Sequence, residues 1–128
     1  MLVRTRFAPS PTGYLHVGGL RTALYNYIYA KQNQGVFILR IEDTDQSRLV
    51  KNATEQLIKS IEKFDLNFDE GPNLNEHYGP YKQSERLEIY RKHYLELIKN
   101  KNAYVCKVNK ENLIPEFDPI VALSLIKK

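Results

Sequence analysis

The chain has 128 residues, a formal net charge of +4, a sequence pI near 9.1 and 42% hydrophobic residues, which favours one domain with one hydrophobic core. The positive charge fits an anionic partner such as ATP or RNA, and it fits a lysine-rich solvated surface equally well. A single cysteine excludes an internal disulfide, no apolar run approaches the ~20 residues of a membrane span, and no signal-peptide pattern is present, so we expect a soluble, cytoplasmic protein.

The first 41 residues carry the patterns of a strand, a loop, a helix and a second strand. Residues 2–7 alternate apolar or small side chains with arginines, the period of a strand with one apolar face. Ala8–Gly19 contains two prolines and several turn formers, so it predicts a shaped loop. Apolar positions from Leu20 recur at helical spacing and predict about four turns ending near Gly35. The β-branched run Val36–Ile41 predicts a buried strand.

A strand, a helix and a strand in this order make a βαβ unit. Its two strands are expected to be parallel, joined by a right-handed crossover, with ligands beyond their carboxyl ends. Both unusual loops, residues 8–19 and 42–45, begin at those ends.

The sequence after residue 45 predicts five further elements. They are a helix over Leu57–Phe64, a short extended piece at Leu66–Phe68, a helix capped by Ser84, a strand over Ala103–Val108 and a short helix from Asp118 to Leu125.

The loop before the first helix has the chemistry of a phosphate site. Unpaired N–H groups and the positive end of the helix dipole attract an anion, and Gly18 and Gly19 let it approach the backbone. His16 could donate a hydrogen bond to charge that develops on a phosphoryl group. The same residues also fit a plain glycine-rich turn with a surface histidine. Neither the P-loop nor the G-x-G-x-x-G pattern is met.

Three carboxylates, Glu42, Asp43 and Asp45, follow the second strand. Their chemistry alone is compatible with a magnesium site, a general base or an ammonium-binding site. The alternative is that Asp43 or Asp45 caps the next helix or pairs with Arg40.

Several ordered blocks between about Arg4 and Tyr104 resemble one enzyme family. Residues 9–19, PSPTGYLHVGG, resemble the HIGH signature of class I aminoacyl-tRNA synthetases, and RFAPSPTG from Arg6 is similar to the form found in glutamyl-tRNA synthetases. IEDTDQSR from Ile41 resembles a second signature of the glutamyl enzymes, and residues 68–72 and 79–86 are also similar. Glycine at position 19 replaces the final histidine of the signature, so the second imidazole is absent.

The resemblance implies a fold and a reaction. The fold class is α/β, a parallel-sheet, Rossmann-like (HUP-type) nucleotide-binding fold, with its N-terminal half in residues 1–107 and a divergent or truncated tail in residues 108–128. The reaction is that of a glutamate-tRNA ligase, which converts ATP, L-glutamate and tRNA(Glu) into glutamyl-tRNA(Glu), AMP and diphosphate. The family's acceptor-binding insertion, KMSKS-type loop and anticodon-binding region are missing, so this chain alone is predicted to be weak or inactive.

Site residues follow from the same resemblance, position by position. The catalytic residues would be His16, Gly18 and Gly19. The ATP-binding residues would be these three with Pro9, Ser10, Thr12 and Gly13. The glutamate-binding residues would be Arg6, Ala8, Ser10 and Glu42, with Glu42 on the α-ammonium group and the planar fork of Arg6 suited to a carboxylate. Asp45 and Arg48 would meet the tRNA 3′ end.

The expected cofactor is ATP with Mg²⁺ as a substrate complex, and the expected partners are tRNA(Glu), ATP and L-glutamate. No protein-bound metal is expected: Cys106 is followed by Val108 where some family members place a C-x-C zinc pair. We expect a monomer without membrane contact.

Two alternatives remain open. One is a non-catalytic nucleotide- or tRNA-binding fragment. The other is a related enzyme, either a glutamyl-Q tRNA(Asp) synthetase-like protein that modifies a tRNA base or an adenylyltransferase with an H-x-G-H loop. Gly19 disfavours the adenylyltransferase, and the block Asp69–Arg86 fits the full glutamyl enzymes better than the base-modifying ones.

Overall fold

The computed structural model describes residues 2–74, 77–108 and 115–117, which belong to two compact units, Met1–Arg86 and Leu87–Lys128. The first unit contains β1 (Arg4–Phe7), α1 (Val17–Gln32), β2 (Val36–Leu39) and α2 (Ala53–Lys63), with 3₁₀ turns at Gln46–Arg48 and Gln83–Arg86. The second contains α3 (Leu87–Lys99), β3 (Cys106–Val108) and β4 (Pro115–Phe117). None of the described helices is long and apolar enough to cross a membrane.

The sheet of the first unit is parallel and has β2 in its middle. β1 pairs with β2 from Arg4↔Val36 to Phe7↔Leu39, and the helix α1 connects them. On the opposite edge of β2, parallel bridges join Ile38 to Glu70 and Ile41 to Lys82. The predicted βαβ unit and the α/β class are therefore confirmed.

The hydrophobic core lies between this sheet and the helices α1 and α2. The Thr5 hydroxyl donates to the Asn26 carbonyl oxygen of α1 at 2.8 Å, so the face of β1 that carries Thr5 and Phe7 turns toward α1. The Tyr27 ring of α1 meets Phe37 edge to face, with 5.7 Å between ring centroids. Full burial of a side chain such as Phe37 contributes about 1.5–3 kcal/mol to folding stability. The buried cluster consists of Phe7, Ala23, Ala30, Phe37, Leu39, Ile41, Leu57, Ile61 and Leu66.

Both ends of α1 differ from the prediction. The helix begins at Val17, three residues before Leu20, because the His16 side chain caps it and satisfies the Gly18 N–H. Gly18 and Gly19 thus lie in the first turn and not in the loop. At the other end the left-handed residue is Gln34, with φ of 50°. Gly35 is needed for space, because a Cβ there would lie 2.3 Å from the Val3 carbonyl oxygen.

The later elements also differ in their bounds. The helix α2 begins at Ala53, four residues before the predicted start at Leu57. Ser84 lies in a 3₁₀ turn and does not cap α3, which begins at Leu87. The predicted strand 103–108 is shortened to β3, which pairs antiparallel with β4, a strand that the prediction missed. The predicted helix 118–125 lies outside the described residues.

A buried carboxylate ties the start of β1 to the far edge of the sheet. Arg4 Nη1 and Nη2 donate to Glu70 Oε1 and Oε2 at 2.7 Å each, and the Tyr81 hydroxyl also donates to Oε2. The Tyr78 ring lies 4.7 Å from the Arg4 guanidinium carbon. Glu70 is only 5% exposed. The hydrogen bonds from Arg4, more than any other contact, hold the pKa of Glu70 below its ordinary value of 4.5.

This lowered pKa predicts an acid-sensitive contribution to stability. Glu70 binds its proton less readily in the folded chain, so its contribution is complete above about pH 4.5 and is lost as pH falls through the folded pKa. We expect wild type to exceed Glu70→Gln in unfolding free energy at pH 7, and the difference to shrink below about pH 4.5. Denaturant unfolding between pH 3 and 7 measures it. Glu55→Gln, at an exposed position of α2, is the control, and an equal pH response of both variants would contradict the assignment.

Candidate active site

A pocket of about 390 Å³ lies beside the loop between β1 and α1, at the carboxyl end of the parallel strands. Six of the seven residues predicted to bind ATP line this pocket, and Gly18 adjoins it in the first turn of α1. The lining residues are Phe7, Pro9, Ser10, Thr12, Gly13, Tyr14, Leu15, His16, Gly19 and Leu57. Residues chosen from one loop of the sequence therefore enclose a common space.

Backbone hydrogen bonds hold the loop in this shape. The Glu42 N–H donates to the Pro9 carbonyl oxygen at 3.0 Å, which extends the ladder of β1 and β2 beyond both strands. The Val50 N–H donates to the Pro11 carbonyl oxygen at 3.2 Å. Each proline carbonyl thus anchors the loop to the segment after β2, and proline's fixed φ limits the loop further.

His16 is both the cap of α1 and a wall of the pocket. Its Nδ1 accepts a hydrogen bond from the Gly18 N–H at 3.1 Å. An accepting Nδ1 carries no proton, so the neutral ring has its proton on Nε2, which can donate to a ligand. The first turn of α1 contains no acidic residue, so the positive end of the helix dipole is not offset there.

Gly18 leaves the space in which this histidine sits. A Cβ at position 18 would lie 2.8 Å from His16 Cε1 and 3.1 Å from Nδ1, closer than side chains pack. At Gly19 the nearest atom would be Leu15 Cδ1, also at 2.8 Å. A Cβ at Gly13 would meet nothing within 4 Å.

These contacts predict that Gly18→Ala displaces the imidazole from its capping position. We expect the ¹⁵N shifts of His16 to lose the pattern of one dominant tautomer, because Nδ1 no longer has its donor. NMR of the ring nitrogens in the labelled chain measures this change. Gly13→Ala is the matched control and should retain the wild-type shifts. A single tautomer in Gly18→Ala would show that the cap does not set the tautomer.

The predicted glutamate-binding residues lie at the ends of the two adjacent strands. Arg6 is exposed on β1, Ala8 is half-buried directly after it, Ser10 lines the pocket, and Glu42 is half-buried just past β2. Within residues 2–74, 77–108 and 115–117, neither the Arg6 guanidinium nor the Glu42 carboxylate has a hydrogen-bond or ion-pair partner. One cation and one anion are thus available for a zwitterionic ligand.

The three carboxylates after β2 have three different environments. Asp43 accepts from the Ser84 N–H at 2.8 Å and from the Ser84 hydroxyl at 2.7 Å, so it binds the 3₁₀ turn at 83–86. Asp45 accepts from the Ser47 hydroxyl at 2.7 Å and from Arg48 Nε at 2.5 Å. In the described part of the chain, no three His, Cys, Asp or Glu residues form a group that could hold a metal ion. Of the three carboxylates, Glu42 is the one without a partner in the part of the chain that the structure describes.

Asp45 and Arg48, the residues predicted to meet the tRNA 3′ end, form an ion pair at the surface. The hydrogen bonds from Ser47 and Arg48 lower the pKa of Asp45, so the carboxylate stays charged. The pair shapes the turn at Gln46–Arg48, and a role toward tRNA stays a prediction.

Four residues of the pocket were not predicted: Phe7, Tyr14, Leu15 and Leu57. Tyr14 and Leu15 lie inside the recognised signature, and Tyr14 is 76% exposed. Phe7 and Leu57 belong to the core. Leu57 lies on α2, and no local sequence pattern shows that α2 packs beside this loop.

The chain matches the family model "tRNA synthetases class I (E and Q), catalytic domain" over residues 2–116. It is similar to the glutamate-tRNA ligase of Chlorobaculum parvum, with 59% identity over 111 residues, 87% of this chain and 22% of that protein. The ligase of Alkaliphilus metalliredigens is 52% identical over 118 residues, 87% of this chain and 24% of that protein. The chain thus spans about a fifth of the length of the curated relatives it matches.

Solved structures show the same likeness. The glutamate-tRNA synthetase of Elizabethkingia anophelis has a TM-score of 0.73 and 51% identity, over 78% of this chain and 20% of that one. A glutamate tRNA ligase from Elizabethkingia meningosepticum, solved in complex with its amino acid, has a TM-score of 0.78 and 46% identity, over 86% of this chain and 22% of that one. These neighbours agree with the Rossmann-like fold class.

Proposed function

Because this chain belongs to the class I tRNA synthetases for glutamate and glutamine, we propose that it provides the ATP- and amino-acid-binding face of a glutamate-tRNA ligase. The observation that carries the proposal is the pocket at the β1–α1 loop, which has the His16 cap in its wall. Arg6 and Glu42, which have no partner within the described ranges, lie at the neighbouring strand ends. Cytoplasmic location and a monomeric state belong to the same proposal.

In the first step, an α-carboxylate oxygen of glutamate attacks the α-phosphorus of Mg·ATP, and the bond to the bridging oxygen breaks to release diphosphate. His16 Nε2–H and the N-terminal N–H groups of α1 stabilise the charge that develops on the phosphoryl oxygens. ATP lies against the surface formed by Pro9, Ser10, Thr12, Gly13 and Gly19, with Gly18 beside it in the first turn of α1. The magnesium ion arrives with ATP as part of the substrate.

Arg6 and Glu42 select the amino acid and orient it. The forked guanidinium of Arg6 binds the side-chain carboxylate of glutamate through two hydrogen bonds, and Glu42 binds the α-ammonium group. The α-carboxylate, which must react, is then left unpaired and directed at the phosphate. Ala8 and Ser10 complete this part of the site. Holding both reactants in this way accelerates the step by orientation.

In the second step, a terminal hydroxyl of tRNA(Glu) attacks the acyl carbon of the adenylate, and AMP leaves. We place the tRNA 3′ end near Asp45 and Arg48. The chain covers only about a fifth of its relatives' length, so we expect it to be weak or inactive by itself.

The test is glutamate-dependent ATP–pyrophosphate exchange with added tRNA, measured for this chain and for the full-length gene product. L-glutamine is the control substrate, because the family includes both specificities. We expect exchange by the full-length product with glutamate and none with glutamine. ATP binding without exchange would favour a non-catalytic nucleotide-binding protein, and acylation of tRNA(Asp) instead of tRNA(Glu) would favour the base-modifying relative.

A further inference from the structure

Arg4 and Arg6 lie on the same face of β1, because alternate residues of a strand point to the same side. Arg4 is fully engaged with Glu70, whereas Arg6 has no partner among the residues that the structure describes. The Arg4–Glu70 contact shows that the Glu70 carboxylate lies on this face too.

The strand register places Glu70 nearer to Arg6 than to Arg4. Arg6 pairs with Ile38, and Ile38 pairs with Glu70, so the three Cα atoms form one row across the sheet. Two strand spacings put the Arg6 and Glu70 Cα atoms about 10 Å apart, and the diagonal from Arg4 is about 12 Å. Because the Arg4 side chain reaches Glu70 along the longer diagonal, the Arg6 side chain could reach Glu70 along the shorter row.

Both carboxylate oxygens of Glu70 accept hydrogen bonds within the fold. Arg4 donates to both carboxylate oxygens, the Tyr81 hydroxyl donates to Oε2, and the Tyr78 ring packs against the Arg4 guanidinium. A buried carboxylate that loses its partner cation strongly favours pairing with another cation nearby. Arg40, also on this face, has an interaction of its own. Among the arginines of this face, Arg6 is therefore the one that we expect Glu70 to take as a new partner.

We propose that Arg4 is a positioning residue: by holding Glu70, it keeps Arg6 available for the side-chain carboxylate of the substrate. The inference rests on the proposed function, in which Arg6 binds glutamate. It adds a role for the Arg4–Glu70 pair in amino-acid affinity, beyond the pair's contribution to stability.

The test is a double-variant cycle of Arg4→Met, Glu70→Gln and the combination of both, in the full-length gene product. Arg4→Met should raise the KM for glutamate about tenfold or more and leave the KM for ATP within about twofold, because Glu70 then pairs with Arg6. Glu70→Gln breaks the same ion pair but leaves no carboxylate to compete, so the KM for glutamate should stay within about twofold. The double variant should restore it to within about threefold of wild type.

The asymmetry between the two single variants separates positioning from structure, because both remove one ion pair. Equal KM increases in Arg4→Met and Glu70→Gln, or an unchanged KM in Arg4→Met, would overturn the inference. If Arg4→Met does not fold, Arg4→Lys is tested in its place. An ammonium group cannot engage both oxygens of Glu70 as the guanidinium fork does, so the KM of Arg4→Lys for glutamate should rise. The double variant Arg4→Lys/Glu70→Gln should reverse that rise. An unchanged KM in Arg4→Lys likewise overturns the inference. Absence of glutamate-dependent exchange in the wild type would instead overturn the proposed function, and the inference with it.

Discussion

Replacing His16 by asparagine should slow glutamate-dependent ATP–pyrophosphate exchange by about 10²-fold in the full-length gene product, with little change in the unfolding temperature. The removal of one preorganised donor from a site of developing charge typically costs about 10²–10³ in rate. Asparagine is among the best N-cap residues, so its side-chain oxygen can accept from the Gly18 N–H as Nδ1 does. The substitution thus keeps the cap and removes the Nε2 donor.

His16→Ala is the companion variant, because it removes the cap and the donor together. We expect a similar loss of rate and an additional loss of about 1 kcal/mol in stability. The KM for glutamate should change little in either variant, since we propose that His16 contacts the nucleotide and not the amino acid. A wild-type exchange rate in His16→Asn would show that the imidazole serves the helix alone, and our placement of Nε2 on the phosphate would be wrong.

Replacing Arg6 by alanine should raise the KM for glutamate by about 100-fold and leave the KM for ATP almost unchanged. In the proposed site, one guanidinium would lose a bidentate, charge-assisted contact with one carboxylate, and a total of about 3 kcal/mol for that contact corresponds to a factor of about 100. The fold should tolerate the change, because the Arg6 side chain is exposed and has no partner within the described residues. Steady-state exchange at varied glutamate and ATP measures both constants.

Two further variants sharpen this prediction. Arg6→Lys keeps the charge but loses the fork, so its KM should fall between those of wild type and Arg6→Ala. Arg21→Ala removes an exposed arginine of α1 whose guanidinium contacts Tyr25, and it should leave the KM for glutamate unchanged. A similar increase in Arg21→Ala and Arg6→Ala would mean that net charge, and not a specific contact, governs amino-acid affinity.

The three carboxylates after β2 show how much residue type alone can predict about a site. Glu42, Asp43 and Asp45 are chemically alike and close in sequence, and composition alone allowed a shared metal, a base, an ammonium site or a cap. The structure assigns Asp43 to Ser84, 41 residues away, and Asp45 to its neighbours Ser47 and Arg48. Glu42 alone of the three has no partner among the residues that the structure describes. This selection supports the proposed role of Glu42 toward the α-ammonium group.

Helix and strand periodicity by itself determined the βαβ unit, its parallel strands and the loop that carries the signature. These features depend on neighbours along the chain: the alternation in β1, the apolar positions of α1 and the β-branched run of β2 each need only a few residues to be recognised. The start of α1 was wrong by three residues because the cap is a histidine side chain, and the usual cap residues are Ser, Thr, Asp and Asn.

Only the tertiary structure decided which charged groups remain available. Glu70 is paired with Arg4, 66 residues earlier, and Asp43 accepts hydrogen bonds from Ser84. Both contacts depend on which segments lie along the edge of β2 opposite β1. Whether a charged side chain has a partner depends on which distant residues the sheet brings next to it. The residues that neighbour it in sequence do not show which these are. The proposed site depends on Arg6 and Glu42 having no partner among the described residues, and that absence is therefore a property of the fold.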